Sequence, residues 1–148
     1  MEPGPEGLNL ISKENGELLE TLPVIQALPE HRSYILSTWV RSYEAAARRL
    51  MVAGMRLSQE TYRSGESKLA ERFWELSRVV VSPGDTYTIH GWVAAEQGRL
   101  LHVYVPPQFR ASGMARCLVE RVAGTEYVVH KPWPTVPRGH QVTWSPYL

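Results

Sequence analysis

Val105-Pro106-Pro107-Gln108-Phe109-Arg110-Ala111-Ser112-Gly113-Met114-Ala115-Arg116-Cys117-Leu118-Val119-Glu120 is the stretch on which the reading of the fold turns. An apolar run from Leu100 to Val105 leads into it and halts at two prolines, which have no N–H to give to a ladder. A short basic loop with Gly113 between Ala111 and Ala115 follows, and a helix starts there. Small residues at such a junction let a ligand approach the backbone closely. The first N–H groups of the helix lack intrahelical partners and lie at the positive end of its dipole. The stretch therefore predicts an anion site of the phosphate type, with Arg110 and Arg116 adding positive charge.

Working outward, Val79-Val80-Val81 is a short buried strand closed by the Ser82-Pro83-Gly84-Asp85 turn. Apolar residues alternate through Thr86 to Val93, predicting a strand with one buried face. Gly91 in its interior signals a bulge or a close backbone approach. Glu96-Gln97-Gly98 turns the chain into Leu100–Val105, so the two strands form an antiparallel hairpin that feeds the loop. Beyond it, a helix over Gly113 to Val122 ends at Ala123-Gly124. A strand follows over Glu126 to His130, then a three-proline loop from Lys131 to His140, and a last short strand over Gln141 to Trp144.

The amino-terminal half reads differently. Met1 to Gly7 is rich in Pro and Gly and is expected to fray. Leu8 to Ser12 is a candidate strand before a Glu14-Asn15-Gly16 turn, and Pro23 and Pro29 oppose a long regular element between Leu18 and Pro29. Leu36, Trp39, Val40, Tyr43, Ala47 and Leu50 recur at helical spacing, predicting a helix over Ser33 to Val52 with Ser33 as N-cap and Gly54 beyond its end. Its other face, with Arg41, Glu44, Arg48 and Arg49, reads as solvated. A second helix is expected over Ser58 to Ser77, weakened at Ser64-Gly65. Leu69, Phe73 and Leu76 supply its apolar stripe, and Arg63, Glu66, Lys68, Glu71 and Arg72 a wet face of mixed charge.

The chain has 148 residues, enough for a single domain with its own core. A hydrophobic content of 43% and a charged content of 21% are ordinary for a globular protein. A formal net charge of +1 offers no general attraction for nucleic acid or an acidic membrane. One cysteine excludes an internal disulfide framework and suits a reducing compartment; Cys117 is expected as a small core residue of its helix. Without a leader pattern or a long apolar run, the expectation is a cytoplasmic protein. No metal-ligand spacing, phosphate-binding Walker loop or dinucleotide fingerprint is present.

Arg110-x-x-Gly113-x-Ala115, after a valine-ended strand and Phe109, resembles the Arg/Gln-x-x-Gly-x-Gly/Ala signature of the GNAT superfamily of N-acetyltransferases. The resemblance implies an α/β (α+β) fold, a twisted and mostly antiparallel mixed sheet flanked by helices, and acetyl-CoA as cofactor. It assigns the pyrophosphate to the backbone of Ala111, Ser112, Gly113, Met114 and Ala115, flanked by Arg110 and Arg116, and the pantetheine arm to the backbone of Val103 and Val105. The whole chain is also similar to small phage and prophage acetyltransferase-like proteins, through Tyr34 to Tyr43, Ile89-His90-Gly91-Trp92, Leu101 to Val105 with Phe109-Arg110, and Pro146-Tyr147-Leu148. That similarity implies a phage origin and a host cytoplasm.

Acetyl transfer to an amine needs a base for the ammonium, and it is helped by an acid for the departing thiolate. For the base, the region that carries it in the family offers His90, Glu96 and His102. The family's acid is a Tyr on a fourth helix, and here that position is the proline-rich loop; Tyr127, His130 and Tyr147 stand near, with Tyr147 kept as the catalytic candidate. The acceptor is then an amine on a protein, a host protein included, or on a small molecule. The alternative is a catalytically inactive fold used as a protein-binding or structural module. Exposed strand edges and twelve Trp and Tyr residues (five and seven) permit a homodimer.

Overall fold

The computed structural model describes residues 8–11, 18–51, 59–110, 113–129 and 137–145. The chain divides into two compact units, one built from Met1–Gln26 and Leu76–Leu148, the other from Ala27–Glu75. The expectations on Met1–Gly7, the Glu14-Asn15-Gly16 turn, Gly54, His130, the first part of the proline-rich loop and Tyr147 lie outside the described residues.

The first unit carries the sheet. Strands β3 (Val24–Gln26), β4 (Ser77–Ser82), β5 (Asp85–Glu96), β6 (Arg99–Tyr104), β7 (Glu126–Val129) and β8 (Gln141–Trp144) lie in that order. The pairs β3–β4, β4–β5 and β5–β6 are antiparallel, whereas β6–β7 and β7–β8 are parallel. A separate antiparallel hairpin joins β1 (Leu8–Ile11) to β2 (Leu18–Leu22). The result is a mixed α/β architecture around a mostly antiparallel six-stranded sheet, as the sequence predicts.

Local chemistry accounts for these elements. Pro23 stands at the strand-entry position a sheet tolerates, where its carbonyl accepts the Val81 N–H at 3.0 Å. Gln97 and Gly98 turn the β5–β6 hairpin with φ of 45° and 77°, the paired positive angles of a two-residue turn whose twist matches its strands. Helix α3 (Met114–Ala123) crosses from β6 to β7 and packs on β5 and β6. It buries Met114, Leu118 and Val119 against Val93, Leu100, Val105 and Tyr127. Each such side chain contributes roughly 1.5–3 kcal/mol by leaving water.

Two expectations change here, and one orientation is new. Burial along β5 does not alternate at its centre: Gly91, Trp92, Val93 and Ala94 are all buried, so both faces of the sheet are covered there. Cys117 is exposed on α3 rather than a core residue, because Met114 and Leu118 take the positions facing the sheet. Finally, β7 and β8 run in the same direction, an orientation that short apolar strings do not encode.

The second unit is a pair of helices, α1 (Arg32–Met51) and α2 (Gln59–Phe73), in contact with each other. Ser33 is not the N-cap: a 3₁₀ turn over Pro29–His31 leads straight into α1, with Pro29 supplying the fixed φ of a helix start. The Leu28 N–H donates to His31 Nδ1 at 3.0 Å and closes that turn. Gly65 lies within an unbroken α2. Ile35, Thr38 and Trp39 form the buried seam of α1, while Leu36 and Val40 line a shallow groove with Ser33, Ser67 and Glu71. On α2 the buried residues are Glu66, Ala70 and Phe73, and Leu76 is exposed. Glu66 therefore leaves the wet face assigned to it, accepting a hydrogen bond from Trp39 Nε1 at 3.2 Å.

Candidate functional site

The β6-to-α3 segment is built as the sequence predicts. Strand β6 ends at Tyr104, Val105 and Pro106 are buried, and a 3₁₀ turn over Pro107–Phe109 carries the chain to Arg110. Ala111 and Ser112 lie outside the described residues. Gly113 is the N-cap of α3 in the left-handed region, φ 80°, with open space where a Cβ would stand and no side-chain cap. Its carbonyl accepts the Cys117 N–H at 3.1 Å, the first bond of the helix. The N–H groups of Met114, Ala115 and Arg116 thus begin the helix without a capping side chain, where the dipole favours an anion.

On one side, the strand leading in has no described strand partner past Leu100. On one edge, β6 pairs with β5 from Arg99 to Tyr104; on the other, the register with β7 holds only Arg99 with Val128 and Leu100 with Val129. Past Leu100, β6 continues beyond the last residue of β7. Alternate residues of a strand turn their N–H and C=O toward the same edge, so Val103 and Val105 present theirs alike. Val105 is buried and its carbonyl accepts from Arg110 Nε at 2.8 Å. The same guanidinium stands 5.8 Å from the centre of the Tyr104 ring, near enough for a cation–π contact. Arg110 therefore braces the strand end and is held against it.

Arg116 lies along α3, its Nε donating to Glu120 Oε1 at 2.9 Å. Glu120 also meets His140 Nε2 at 2.9 Å, and His140 Nδ1 meets the Tyr127 hydroxyl at 2.8 Å. His140 and Tyr127 are buried, which makes this row of four side chains the firmest polar feature of the unit. The hydrogen bond from His140 comes first, and that from Arg116 second, in holding the Glu120 carboxyl below its ordinary pKa; burial raises that of Tyr127. The proline-rich stretch reads in sequence only as a loop, and nothing there marks His140 as the centre of such a network.

The three catalytic candidates among the described residues do not converge. Glu96 is exposed at the β5–β6 turn, as expected. His90 stands at a bulge in β5, where the register with β4 passes from Val80–Gly91 to Val81–Ile89. Its Nε2 lies 2.7 Å from Ser82 Oγ and its ring 4.3 Å from that of Phe109. Ala94 pairs with His102 and Trp92 with Tyr104, so His102 shares a face with Trp92, and their rings stand 5.2 Å apart. Gly91, Val93, Val103 and Val105 belong to the opposite face, which α3 covers; a Cβ on Gly91 would lie 3.1 Å from Met114 Sδ. Tyr147 lies outside the described residues. Among those residues no three His, Cys, Asp or Glu side chains gather as metal ligands. Among the described residues no helix is long and apolar enough to cross a membrane.

No protein-family model matches the chain, and no curated relative does. Among solved structures it is similar to the apo form of YjaB from Escherichia coli, at 19% identity and a TM-score of 0.49, over 70% of this chain and 65% of that one. The chain thus spans less than two thirds of the length of that protein.

Proposed function

We propose that the chain binds acetyl-CoA and transfers its acetyl group to an amine, in the manner of a GNAT-type N-acetyltransferase. One observation carries the reading: a helix start at a left-handed Gly113 without a side-chain cap lies directly downstream of a strand that, among the described residues, has no strand partner on one edge past Leu100. The helix start supplies donors and positive potential for a pyrophosphate. That edge of β6 offers backbone groups to an extended amide-bearing arm, as an added strand does. His102, on the face of the sheet away from α3, is the preferred base, since a neutral imidazole accepts a proton near neutral pH. The acceptor is a primary amine on a small molecule or on a protein, a host protein if the gene is of phage origin.

Calorimetric titration with acetyl-CoA and CoA tests this. The exposed residue Ala115 is the useful site, because Ala115→Glu puts a carboxylate in the first turn, where the helix welcomes it but a pyrophosphate does not. Wild type is expected to bind both ligands and the variant to bind at least about tenfold more weakly, about 1.4 kcal/mol. No heat with wild type at millimolar ligand overturns the proposal. Binding without CoA release across a panel of amines supports the second reading, a binding module, which the tying of His90 to Ser82 favours.

A further inference from the structure

Ser77 opens β4, is fully buried, and its hydroxyl is the single buried side-chain polar atom without a hydrogen-bond partner among the described residues. An orphaned hydroxyl of this kind is costly unless something polar meets it. The register says what stands beside it. Ser77 pairs with Ala94 across β4–β5, and Ala94 pairs with His102 across β5–β6. Residues directly opposite share a face, so Ser77, Ala94 and His102 form one row across three strands, on the side of the sheet away from α3. Two inter-strand steps of about 4.8 Å set Ser77 and His102 roughly 10 Å apart at Cα. Ala94, with its single methyl group, is the residue between them in that row. Trp92, fully buried, occupies the next row on the same face with its ring against His102.

We propose that Ser77 and His102 hold one buried water between them over Ala94, and that Ser77 is a positioning residue for the imidazole. With the two side chains leaning toward each other over Ala94, the hydroxyl and an imidazole nitrogen come within the reach of two hydrogen bonds of about 2.8 Å through one water. The site is polar at both ends, with Ala94 in the row and the buried Trp92 on the same face beside it, and buried water is retained where polar groups of this kind would otherwise lack partners. The Ser77 hydroxyl donates to the water, and the water donates to the unprotonated nitrogen of His102, which fixes one tautomer. A consequence that rests on the acetyl-transfer reading follows. A proton leaving the substrate ammonium passes to this water as the water gives one to His102, leaving a neutral amine, an intact water and an imidazolium.

Nitrogen-15 NMR of the histidine rings, with His102 assigned through His102→Gln, tests the water site without any ligand. Wild type is expected to show one dominant His102 tautomer and a water cross-peak to the Ala94 methyl. In Ser77→Ala the cross-peak disappears and the tautomer ratio changes at least twofold, while Ser77→Thr, which keeps the hydroxyl, restores both. A Ser77→Ala protein with the wild-type tautomer ratio and cross-peak overturns the proposal, as does one that merely unfolds at a higher temperature, since that is the response of an orphan removed. A folded Ser77→Thr protein that restores neither signal overturns it too. These outcomes stand whether or not acetyl-CoA binds. If it does, Ser77→Ala is expected to lower kcat at least fivefold with the KM for acetyl-CoA unchanged.

Discussion

His140 shows how much one residue can settle. Glu120 is ionised and can only accept, so His140 Nε2 carries the proton that bonds it, and Nδ1 shares a second hydrogen bond with the Tyr127 hydroxyl. Truncating the centre removes the phenol's bond to Nδ1 and the carboxylate's bond to Nε2, and His140→Ala is expected to cost about 1–3 kcal/mol in urea unfolding. Tyr127→Phe costs a similar amount by orphaning Nδ1, and the double variant costs less than the sum because both changes break the same bond. The Glu120 carboxyl, held below its ordinary value of 4.5 by His140 and then by Arg116, adds an acid-side signature. Its contribution is complete above the pKa of the unfolded carboxyl and is lost as pH falls through the lower folded value. Glu120→Gln is expected to flatten that acid limb of the stability profile, and an unchanged limb would remove Glu120 from the network. None of this was legible in the sequence: a histidine after Pro-Arg-Gly carries no periodic signal, and Ser77 reads as any polar residue at a strand end. Gly113 was legible, because a left-handed cap before an apolar helix leaves a mark in residue type.

At the scale of elements, the β5–β6 hairpin was readable because turn chemistry and strand pattern agree over Glu96–Arg99, where Gln97-Gly98 turns with two positive φ angles. Gly91 was flagged for close approach, and its neighbours give the reason: a Cβ there would meet Met114 Sδ and the Tyr104 carbonyl oxygen, each at 3.1 Å. The flexible thioether can retreat, whereas the carbonyl belongs to the ladder and cannot. Gly91→Ala is expected to lower stability by about 1–3 kcal/mol, the range for overpacking a tight site. Met114→Ala in the same protein should recover only part of what Gly91→Ala loses, measured as a double-mutant cycle; full recovery would mean that the carbonyl contact costs nothing. What stayed hidden was set by tertiary context. The buried seam of α1 is turned from the predicted stripe toward Ile35 and Thr38, and Glu66 is buried because Trp39 needs an acceptor. The parallel pairing of β7 with β8 depends on how the chain returns, which strand composition does not record.

Across the whole molecule, the order of strands predicts an order of stability. The sheet unit is drawn from two separated stretches of chain, and β3 reaches β4 by pairing Val24 with Val80 across everything between them. Closing so long a loop costs entropy that three paired residues repay poorly, while β4–β5 and β5–β6 are joined by tight turns and close cheaply. Strand β5 is paired on both sides and its centre is buried on both faces, so its amides open only when the unit unfolds. At the edge opposite β3, β8 is four residues long, with Trp144 57% exposed, and little apolar burial holds it. Native-state hydrogen exchange should therefore separate the strands, with Val24–Gln26 and Gln141–Trp144 exchanging at least tenfold faster than Trp92–Ala94, a gap of about 1.4 kcal/mol in opening energy. Ile25→Ala should speed exchange in β3 while leaving β5 close to its original rate, since the change falls on a partner that opens first. If β3 and β5 instead slow and quicken together, the sheet opens as one cooperative body, and the long closure through Val24 and Val80 forms part of its folding nucleus.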